Sequence, residues 1–333
     1  MRILAGDIGG THTRLVYVQD DTVPCIRHAK TYPSGEYPDL IDVIEDFLSE
    51  HAIQKPFDAA CFAIAGPIQD DGVAVTNLPW FIRTTDLQLA LQTTQVTLIN
   101  DFLAIAYAIP ALTEKNLVSL QEGEPARAGD RLNAAVLGAG TGLGAAHLVW
   151  QRDHYQAFSS EAGHAGFAPE TAIQEQLLTW LHQQHAHVSV EMLLSGRGID
   201  RLYAFFRDVL GLPESDTVRD ALHRTDPAQV ISEHALAGDD VLCRRTLACF
   251  VEIYGAVAGD IALHYYPVNA VYLAGGIAPK IKGLLASKAF TEAFSNKGPM
   301  RDNLQKLPVK LVLSDTPGLD GAISYARQHY LPT

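Results

Sequence analysis

The first apolar runs of the chain flank a turn that is rich in glycine. Ile3-Leu4-Ala5 leads into Gly6-Asp7-Ile8-Gly9-Gly10-Thr11, and a second apolar run at 15–18 follows. Another such turn, Gly138-Ala139-Gly140-Thr141-Gly142-Leu143-Gly144, lies between two further apolar runs. Short apolar runs on both sides of a glycine turn are typical of β-hairpins. The sequence therefore predicts two hairpins with glycine-rich tips.

Strand and helix patterns alternate between these hairpins. The predicted elements are a helix over 37–51, a strand over 59–65 that ends at Gly66-Pro67, a strand over 96–99 that runs into Asn100-Asp101, and a helix over 102–109. A looser segment rich in Gly, Pro and charge, 122–130, predicts a domain boundary.

The part of the chain beyond the second hairpin is mostly helical. Its predicted elements are helices over 172–185, 190–206, 227–236 and 239–266, a strand over 270–274 that runs into Gly275-Gly276, and a helix over 320–329. Because both halves open with a glycine hairpin, we expect a duplicated α/β unit with a ligand-binding cleft between the halves.

Composition narrows the class of protein. The chain has 333 residues, 47% of them hydrophobic and 19% charged, as is ordinary for a globular enzyme of about two domains. The net charge of −13 disfavours nonspecific binding to nucleic acid or anionic membrane, which requires lysine and arginine. An early charge at Arg2 argues against a signal peptide, and no uncharged stretch is expected to span a membrane. The four scattered cysteines form no CxxC pair, so we expect free thiols in the cytoplasm and no structural zinc.

Neither glycine turn fits the common phosphate-binding motifs. A P-loop needs a Lys-Ser or Lys-Thr pair before a helix, and a dinucleotide fingerprint needs GxGxxG opening a helix. What remains is two hairpin tips at which bare backbone amides and threonine hydroxyls could surround an anion. Gly275-Gly276 is a third place at which backbone could approach a ligand, here a flat base or its ribose. Ordinary turn chemistry is the alternative at each place.

Two aspartates at predicted strand ends are candidates for phosphoryl chemistry. Asp7 would repel a phosphate on the first tip unless a metal lay between them, which favours Mg²⁺ held directly or through water. Asp101 follows a strand end and could accept a hydroxyl proton, the one task that phosphoryl transfer asks of a base. A turn-bonded Asp7 and a helix-capping Asp101 are the structural alternatives.

A glutamate and a histidine three residues apart form the remaining candidate pair. Glu161 and His164 lie in Ser159-Ser160-Glu161-Ala162-Gly163-His164 and would share one face of a helix. Since the glutamate accepts and the histidine can donate, the pair suits adjacent hydroxyls of a polyol. Glu191 alone has the pattern of an acid in the first turn of a helix.

Together these segments resemble the bacterial glucokinases of the hexokinase–actin–Hsp70 ATPase superfamily. The resemblance covers nearly the whole chain and rests on GDIGGTxxR at the start, on Ile99-Asn100-Asp101, on the SSEAGH segment and on LAGGIAP at 273–279. It departs from the related repressor–kinase family, since Phe167-Ala168-Pro169 stands where that family has a zinc-binding cysteine cluster. The resemblance thus favours the zinc-free glucokinase branch.

The resemblance implies an α/β protein with a two-lobe, ribonuclease H-like (actin-like ATPase) fold and a central cleft. It implies a small domain of residues 1–112 plus 317–333 and a large domain of residues 113–316. The expected activity is transfer of the γ-phosphate of ATP to the 6-hydroxyl of glucose, with Mg²⁺ as cofactor, and a homodimer is one expected state.

Residue roles follow from the same resemblance. ATP is expected to contact Gly6, Asp7, Ile8, Gly9, Gly10, Thr11, Gly140, Thr141, Gly142, Gly275 and Gly276, with Asp7 reaching Mg²⁺ through water. Asp101 is expected to bind glucose and take its proton, and the other expected sugar contacts are Asn77, Asn100, Glu161, His164 and Glu191.

Three alternatives stay open at this point. One is a kinase for another hexose, such as mannose or an N-acetylhexosamine. Another is a non-catalytic sugar sensor of the same fold, which the acidic charge and the absence of a preceding DNA-binding segment disfavour. The third is a filament-forming or chaperone ATPase of the superfamily, which would not need the Asn-Asp and Glu-x-x-His residues.

Overall fold

The computed structural model describes residues 1–19, 25–66, 68–69, 72–124, 131 and 133–330. Pro67 of the predicted Gly66-Pro67 strand end, residues 125–130 of the predicted domain boundary and the last three residues of the predicted small domain lie outside the described residues.

The strands are β1 (Arg2–Ile8), β2 (His12–Gln19), β3 (Ile26–Pro33), β4 (Ala59–Ile64), β5 (Ile68–Gln69), β6 (Gly72–Ala74), β7 (Phe81–Arg83), β8 (Val96–Asn100), β9 (Leu117–Gln121), β10 (Asn133–Ala139), β11 (Leu143–Gln151), β12 (His154–Ser160), β13 (Ala270–Ala274) and β14 (Val309–Val312). The helices are α1 (Leu40–Glu50), α2 (Thr84–Leu91), α3 (Asp101–Ala108), α4 (Ala172–His182), α5 (Gly196–Asp208), α6 (Asp216–Leu222), α7 (Pro227–Ala237), α8 (Val241–His264), α9 (Lys282–Leu285), α10 (Lys288–Ser295), α11 (Arg301–Gln305) and α12 (Pro317–Tyr330).

The chain forms two compact units. Unit 1 comprises Met1–Thr113, Trp150–Ser159 and Ser314–Thr333, and unit 2 comprises Glu114–Val149 and Ser160–Leu313. The segment Trp150–Ser159, which continues β11 into β12, thus belongs to unit 1.

The main sheet of unit 1 has the strand order β3-β2-β1-β4-β8. The predicted first hairpin is confirmed, since β1 pairs antiparallel with β2, and β1, β4 and β8 run parallel. Asp7 is level with Ala63 and Ile99, and the next row contains Ile8, Ile64 and Asn100. The carboxyl ends of the three parallel strands therefore meet at one edge, the usual place for ligands in such sheets.

Both faces of this sheet are buried. Leu4 and Ile8 of β1 pack into one cluster with α1, whereas Ile3 and Ala5 pack into another with α3 and α12. This alternation follows from the two-residue period of a strand. Helix α1 begins after Asp39, whose carboxylate accepts the N–H groups of Ile41 and Asp42.

The sheet of unit 2 contains β11, β10, β13, β14 and β9 as neighbours in that order. The predicted second hairpin is confirmed by the antiparallel pairing of β10 with β11, and β13 lies parallel to β10 on its other side. The core around this sheet includes α5, α7, α8 and α10. Helix α8 is long and apolar enough to cross a membrane, but 72% of its most apolar window is buried within the protein, as in the core helix of a globular domain.

One predicted helix is interrupted. Residues 190–206 form a 3-10 turn over Val190–Met192 and then α5, which starts only at Gly196. The break arises because the Ser195 side chain accepts the N–H of Gly198 and caps a new helix.

Candidate functional site

The tip of the first hairpin is held by its own backbone and by Ser34. The N–H of Gly9 donates to the carbonyl of His12 at 3.0 Å, the hydroxyl of Ser34 donates to the carbonyl of Gly9 at 2.9 Å, and the N–H of Ser34 donates to the carbonyl of Thr11 at 3.0 Å. The amide of Gly9 is therefore used to close the turn. The amides of Gly10 and Thr11 are the ones left as candidates for an anion.

Asn77 lies beside this tip. A Cβ built on Gly10 would be 2.7 Å from the carbonyl oxygen of Thr76 and 3.3 Å from the Cβ of Asn77, so only glycine fits at position 10. Asn77 adopts a left-handed backbone with φ of 64°, a conformation that asparagine tolerates better than most residues. The structure thus brings Asn77 to the first tip.

Asp7 is near the same tip, at the end of β1. Its Oδ2 is 3.3 Å from Nη1 of Arg14, the residue opposite it on β2, and the two side chains are 22% and 41% exposed. The first turn of α12 is close on another side, since a Cβ on Gly318 would be 3.2 Å from the Asp7 carboxyl carbon. Burial raises the pKa of Asp7 above its ordinary value, and the Arg14 guanidinium opposes this shift.

Asn100 and Asp101 form the corner between β8 and α3. The Oδ1 of Asn100 accepts the N–H groups of Phe102 at 3.0 Å and of Leu103 at 3.2 Å, which makes Asn100 the N-cap. The Oδ1 of Asp101 accepts the N–H of Phe102 at 2.8 Å. Burial raises the pKa of Asp101, and the negative charge of Asp7 raises it further, whereas the hydrogen bond from Phe102 opposes the shift. The two aspartates therefore belong to one electrostatic cluster.

The tip of the second hairpin in unit 2 has a similar closure. The N–H of Gly140 donates to the carbonyl of Gly142 at 2.8 Å, and the N–H of Gly196 donates to the carbonyl of Gly140 at 2.9 Å. Glu191 contacts this tip directly, since its Oε2 accepts the N–H of Leu143 at 2.9 Å. The structure thus places Glu191, an expected sugar contact, against the second glycine turn.

Glu161 directly precedes a short 3-10 turn and His164 ends it, so the pair does not lie on an α-helix. The turn Ala162–His164 follows the end of β12 at Ser160. Their side chains are still adjacent, with 3.9 Å between Glu161 Oε2 and His164 Nε2, and they are 93% and 65% exposed. A pair so exposed is open to a ligand.

The second tip and Gly276 border a cavity of about 990 Å³ within unit 2. Gly275 has φ of 83° and packs on Ala139, where a Cβ would be 2.5 Å from the carbonyl oxygen. Gly140, Thr141 and Gly276 line the cavity. Its volume lies at the upper end of the range for small-molecule sites.

Several residues at these places were missed by the sequence argument. In unit 1 they are Ser34 and Gly318. In unit 2 they are the cavity-lining residues at the start of α5, which include Arg197, those at the start of α7, and Lys280. Arg14 is the arginine of the GDIGGTxxR motif, and its ion pair with Asp7 was not predicted from the sequence. Pro317 was the available signal for the start of α12, since proline is common at the first position of a helix.

No group of three or more His, Cys, Asp or Glu that could hold a metal occurs in the described parts of the chain. Cys61, Cys243 and Cys249 are buried free thiols, and Cys25 is exposed. Burial raises the pKa of the Cys249 thiol to about 12, which keeps it protonated and unreactive.

Known proteins match nearly the whole chain. A family model described as Glucokinase matches residues 4–329. The glucokinase of Trichormus variabilis is 40% identical over 335 residues, covering 96% of this chain and 97% of that protein.

Solved structures agree with this match. The crystal structure of glucokinase from an Antarctic psychrotroph has a TM-score of 0.85 and 34% identity, over 98% of this chain and 99% of that one. A ROK family glucokinase from Streptomyces griseus, crystallised with glucose and AMPPNP, has a TM-score of 0.62 and 19% identity, over 98% and 100% of the two chains. The latter likeness concerns the fold alone, and together the two confirm an α/β protein with the actin-like ATPase fold.

Proposed function

Because the chain belongs to the glucokinase family, we propose that it transfers the γ-phosphate of ATP to the 6-hydroxyl of glucose, giving glucose 6-phosphate and ADP. In enzyme terms it is an ATP:D-glucose 6-phosphotransferase acting in the cytoplasm. The observation that carries the proposal is the cluster of Asp7 and Asp101 at the carboxyl edge of the unit 1 sheet, beside a glycine tip.

Asp101 is the proposed base. Asp101 is the first residue of α3, and the N–H of Phe102 orients its carboxylate. The side chain of Asn100 caps the helix and fixes where it starts. One carboxylate oxygen is occupied by that hydrogen bond, and the other can accept the proton of the sugar hydroxyl. Phosphoryl transfer needs little more than this, together with positioning and charge neutralisation.

The nucleotide is proposed to bind at the cavity of unit 2. Gly276 lines the cavity and provides a face without a side chain for adenosine, next to Gly275, which packs on Ala139. Gly140, Thr141 and Gly142 provide backbone for the phosphates. Within unit 1, the tip Gly6–Thr11 is proposed as the first phosphate element, through the amides of Gly10 and Thr11.

The donor set near Asp7 fits Mg²⁺. A carboxylate is a hard oxygen ligand, and Mg²⁺ usually keeps several waters and takes only one or two carboxylates from the protein. Asp7 is held by Arg14 and by the start of α12, so it suits contact through water. Mg²⁺ would neutralise the charge of the phosphates there.

Sugar contacts are assigned within each unit by itself. In unit 1 they are Asn77, which lies beside the glycine tip, and Asn100, which precedes Asp101. In unit 2 they are Glu161, His164 and Glu191, which lie on neighbouring turns. Hydrogen bonds to charged groups are worth about 1.5–3 kcal/mol each. A few of them suffice to reject an epimer, so we expect glucose to be preferred over mannose and N-acetylhexosamines.

A coupled assay tests this proposal. The purified protein with Mg·ATP and a panel of hexoses should give the highest kcat/KM with glucose. Asp101→Ala should lose nearly all turnover while it still binds glucose. Substantial glucose-dependent ATP consumption by that variant, or a higher kcat/KM for another hexose, would overturn the assignment.

A further inference from the structure

Glu191 makes a contact that its role in sugar binding does not explain. Its Oε2 accepts the N–H of Leu143 at 2.9 Å. Leu143 is the first residue of β11, directly after the Gly140–Gly142 tip. The contact therefore places a negative charge on the turn to which we assign the phosphates of ATP.

The turn is shaped around this carboxylate. A Cβ built on Gly142 would be 2.6 Å from the Oε2 of Glu191. The backbone of Gly142 is outside the left-handed region, so its conformation does not require glycine. The missing side chain is needed for Glu191 instead.

Leu143, at the start of β11, is also contacted by the turn that contains Glu161 and His164. A Cβ on Gly163 would be 2.4 Å from the carbonyl oxygen of Leu143, so the backbones pack directly. The N–H of Val190 donates to the carbonyl of Ala165 at 2.9 Å, which ties the turn of Glu191 to that of His164. The sugar-binding turns and the phosphate-binding turn thus share one network around Leu143.

Within this network, two ligands compete for the same groups. A phosphate near the tip is repelled by the Glu191 carboxylate and finds the Leu143 amide already used. A sugar hydroxyl that donates to the carboxylate offers Glu191 another partner. Drawing the carboxylate away would release the amide and lower the negative charge on the turn.

We infer that Glu191 is a positioning residue that couples the two substrates: without sugar its carboxylate occupies the Leu143 amide, and glucose draws it off so that the turn accepts the phosphates. This inference rests on the proposed function. It implies that glucose raises nucleotide affinity and, by linkage, that the nucleotide raises glucose affinity by the same factor.

Isothermal titration with Mg·AMPPNP in the absence of sugar tests the coupling. Glu191→Gln keeps an oxygen acceptor for the Leu143 N–H but removes the charge. We expect this variant to bind the nucleotide at least about fivefold more tightly than the wild-type protein, the lower end of typical coupling factors. Saturating glucose should tighten wild-type binding by a similar factor and change the variant little.

Glu175→Gln is the matched control, since it removes the same charge from an exposed position on α4 of the same unit, outside the candidate site. Its sugar-free nucleotide affinity should equal that of the wild-type protein. An unchanged affinity in Glu191→Gln, or an equal gain in both variants, would overturn the inference. If the wild-type protein binds AMPPNP and phosphorylates glucose, the proposed function stands whether or not the coupling is observed. If it does neither, the proposed function itself is refuted.

Discussion

Gly318 packs directly against Asp7. A Cβ on Gly318 would be 3.2 Å from the carboxyl carbon of Asp7 and 3.3 Å from each carboxylate oxygen. Gly318 is in the first turn of α12, whose positive dipole end favours a nearby anion. The same helix packs on α3, the helix that begins with Asp101. Helix α12 therefore sets the positions of both aspartates relative to the sheet.

Gly318→Ala should displace the Asp7 carboxylate by a few tenths of an ångström, because the new methyl group is closer than ordinary van der Waals contact. Displacements of about 1 Å at a reacting centre can cost about a hundredfold in rate, so we expect a roughly tenfold lower kcat. Steady-state kinetics over a range of Mg²⁺ concentrations measures the change. Gly35→Ala, where nothing is within 4 Å of the added Cβ, is the control in the same unit. Equal kcat in both variants would mean that Asp7 does not depend on this packing.

Local patterns in the sequence predicted local structure well. The strand over 270–274 has the predicted bounds. The helix predicted over 227–236 is one residue longer in the structure and ends at Ala237. The corner at Asn100-Asp101 was also predicted, because an apolar run followed by a capping residue marks a strand-to-helix junction.

The contacts between distant segments were not predictable in this way. Glu191 binds an amide 48 residues away, and Gly318 reaches Asp7 from the opposite end of the chain. Such pairs depend on strand order and on helix placement, whereas periodicity reports only which face of an element is buried. Glu161 and His164 were found by their spacing, but the 3-10 turn that presents them was not.

The pH dependence of the reaction should report the charge of Asp7. A base must be ionised, so kcat/KM for ATP at saturating glucose should fall on the acid side, with a midpoint above the ordinary pKa of aspartate. Since the charge of Asp7 helps to raise the pKa of Asp101, Asp7→Asn should move this midpoint to lower pH even though its rate is lower. Asp42→Asn, an exposed change on α1, should leave the midpoint in place. If the midpoint does not move in Asp7→Asn, the charge of Asp7 does not affect the pKa of Asp101.

Asp101→Asn should be more stable than the wild-type protein at neutral pH. The pKa of Asp101 is higher in the folded than in the unfolded state, so folding favours the protonated form, and stability falls as pH rises from the unfolded to the folded pKa. The amide keeps the oxygen that accepts the Phe102 N–H and removes this cost. We expect Tm to be a few degrees higher at pH 7 and the difference to disappear below about pH 4, the ordinary pKa of aspartate. A lower Tm at pH 7 would show that the ionised carboxylate stabilises the fold.

Gly321→Ala should separate α12 from α3. A Cβ on Gly321 would be 1.7 Å from the carbonyl oxygen of Ala104, so the two helices cannot keep their present distance. Overpacking of this kind costs about 1–3 kcal/mol, which denaturant unfolding would measure, with Gly35→Ala as the neutral comparison. Because Ala104 is only one turn from Asp101, we also expect a lower kcat for the folded variant. A destabilised variant with unchanged kcat would show that α12 supports the fold without positioning the base.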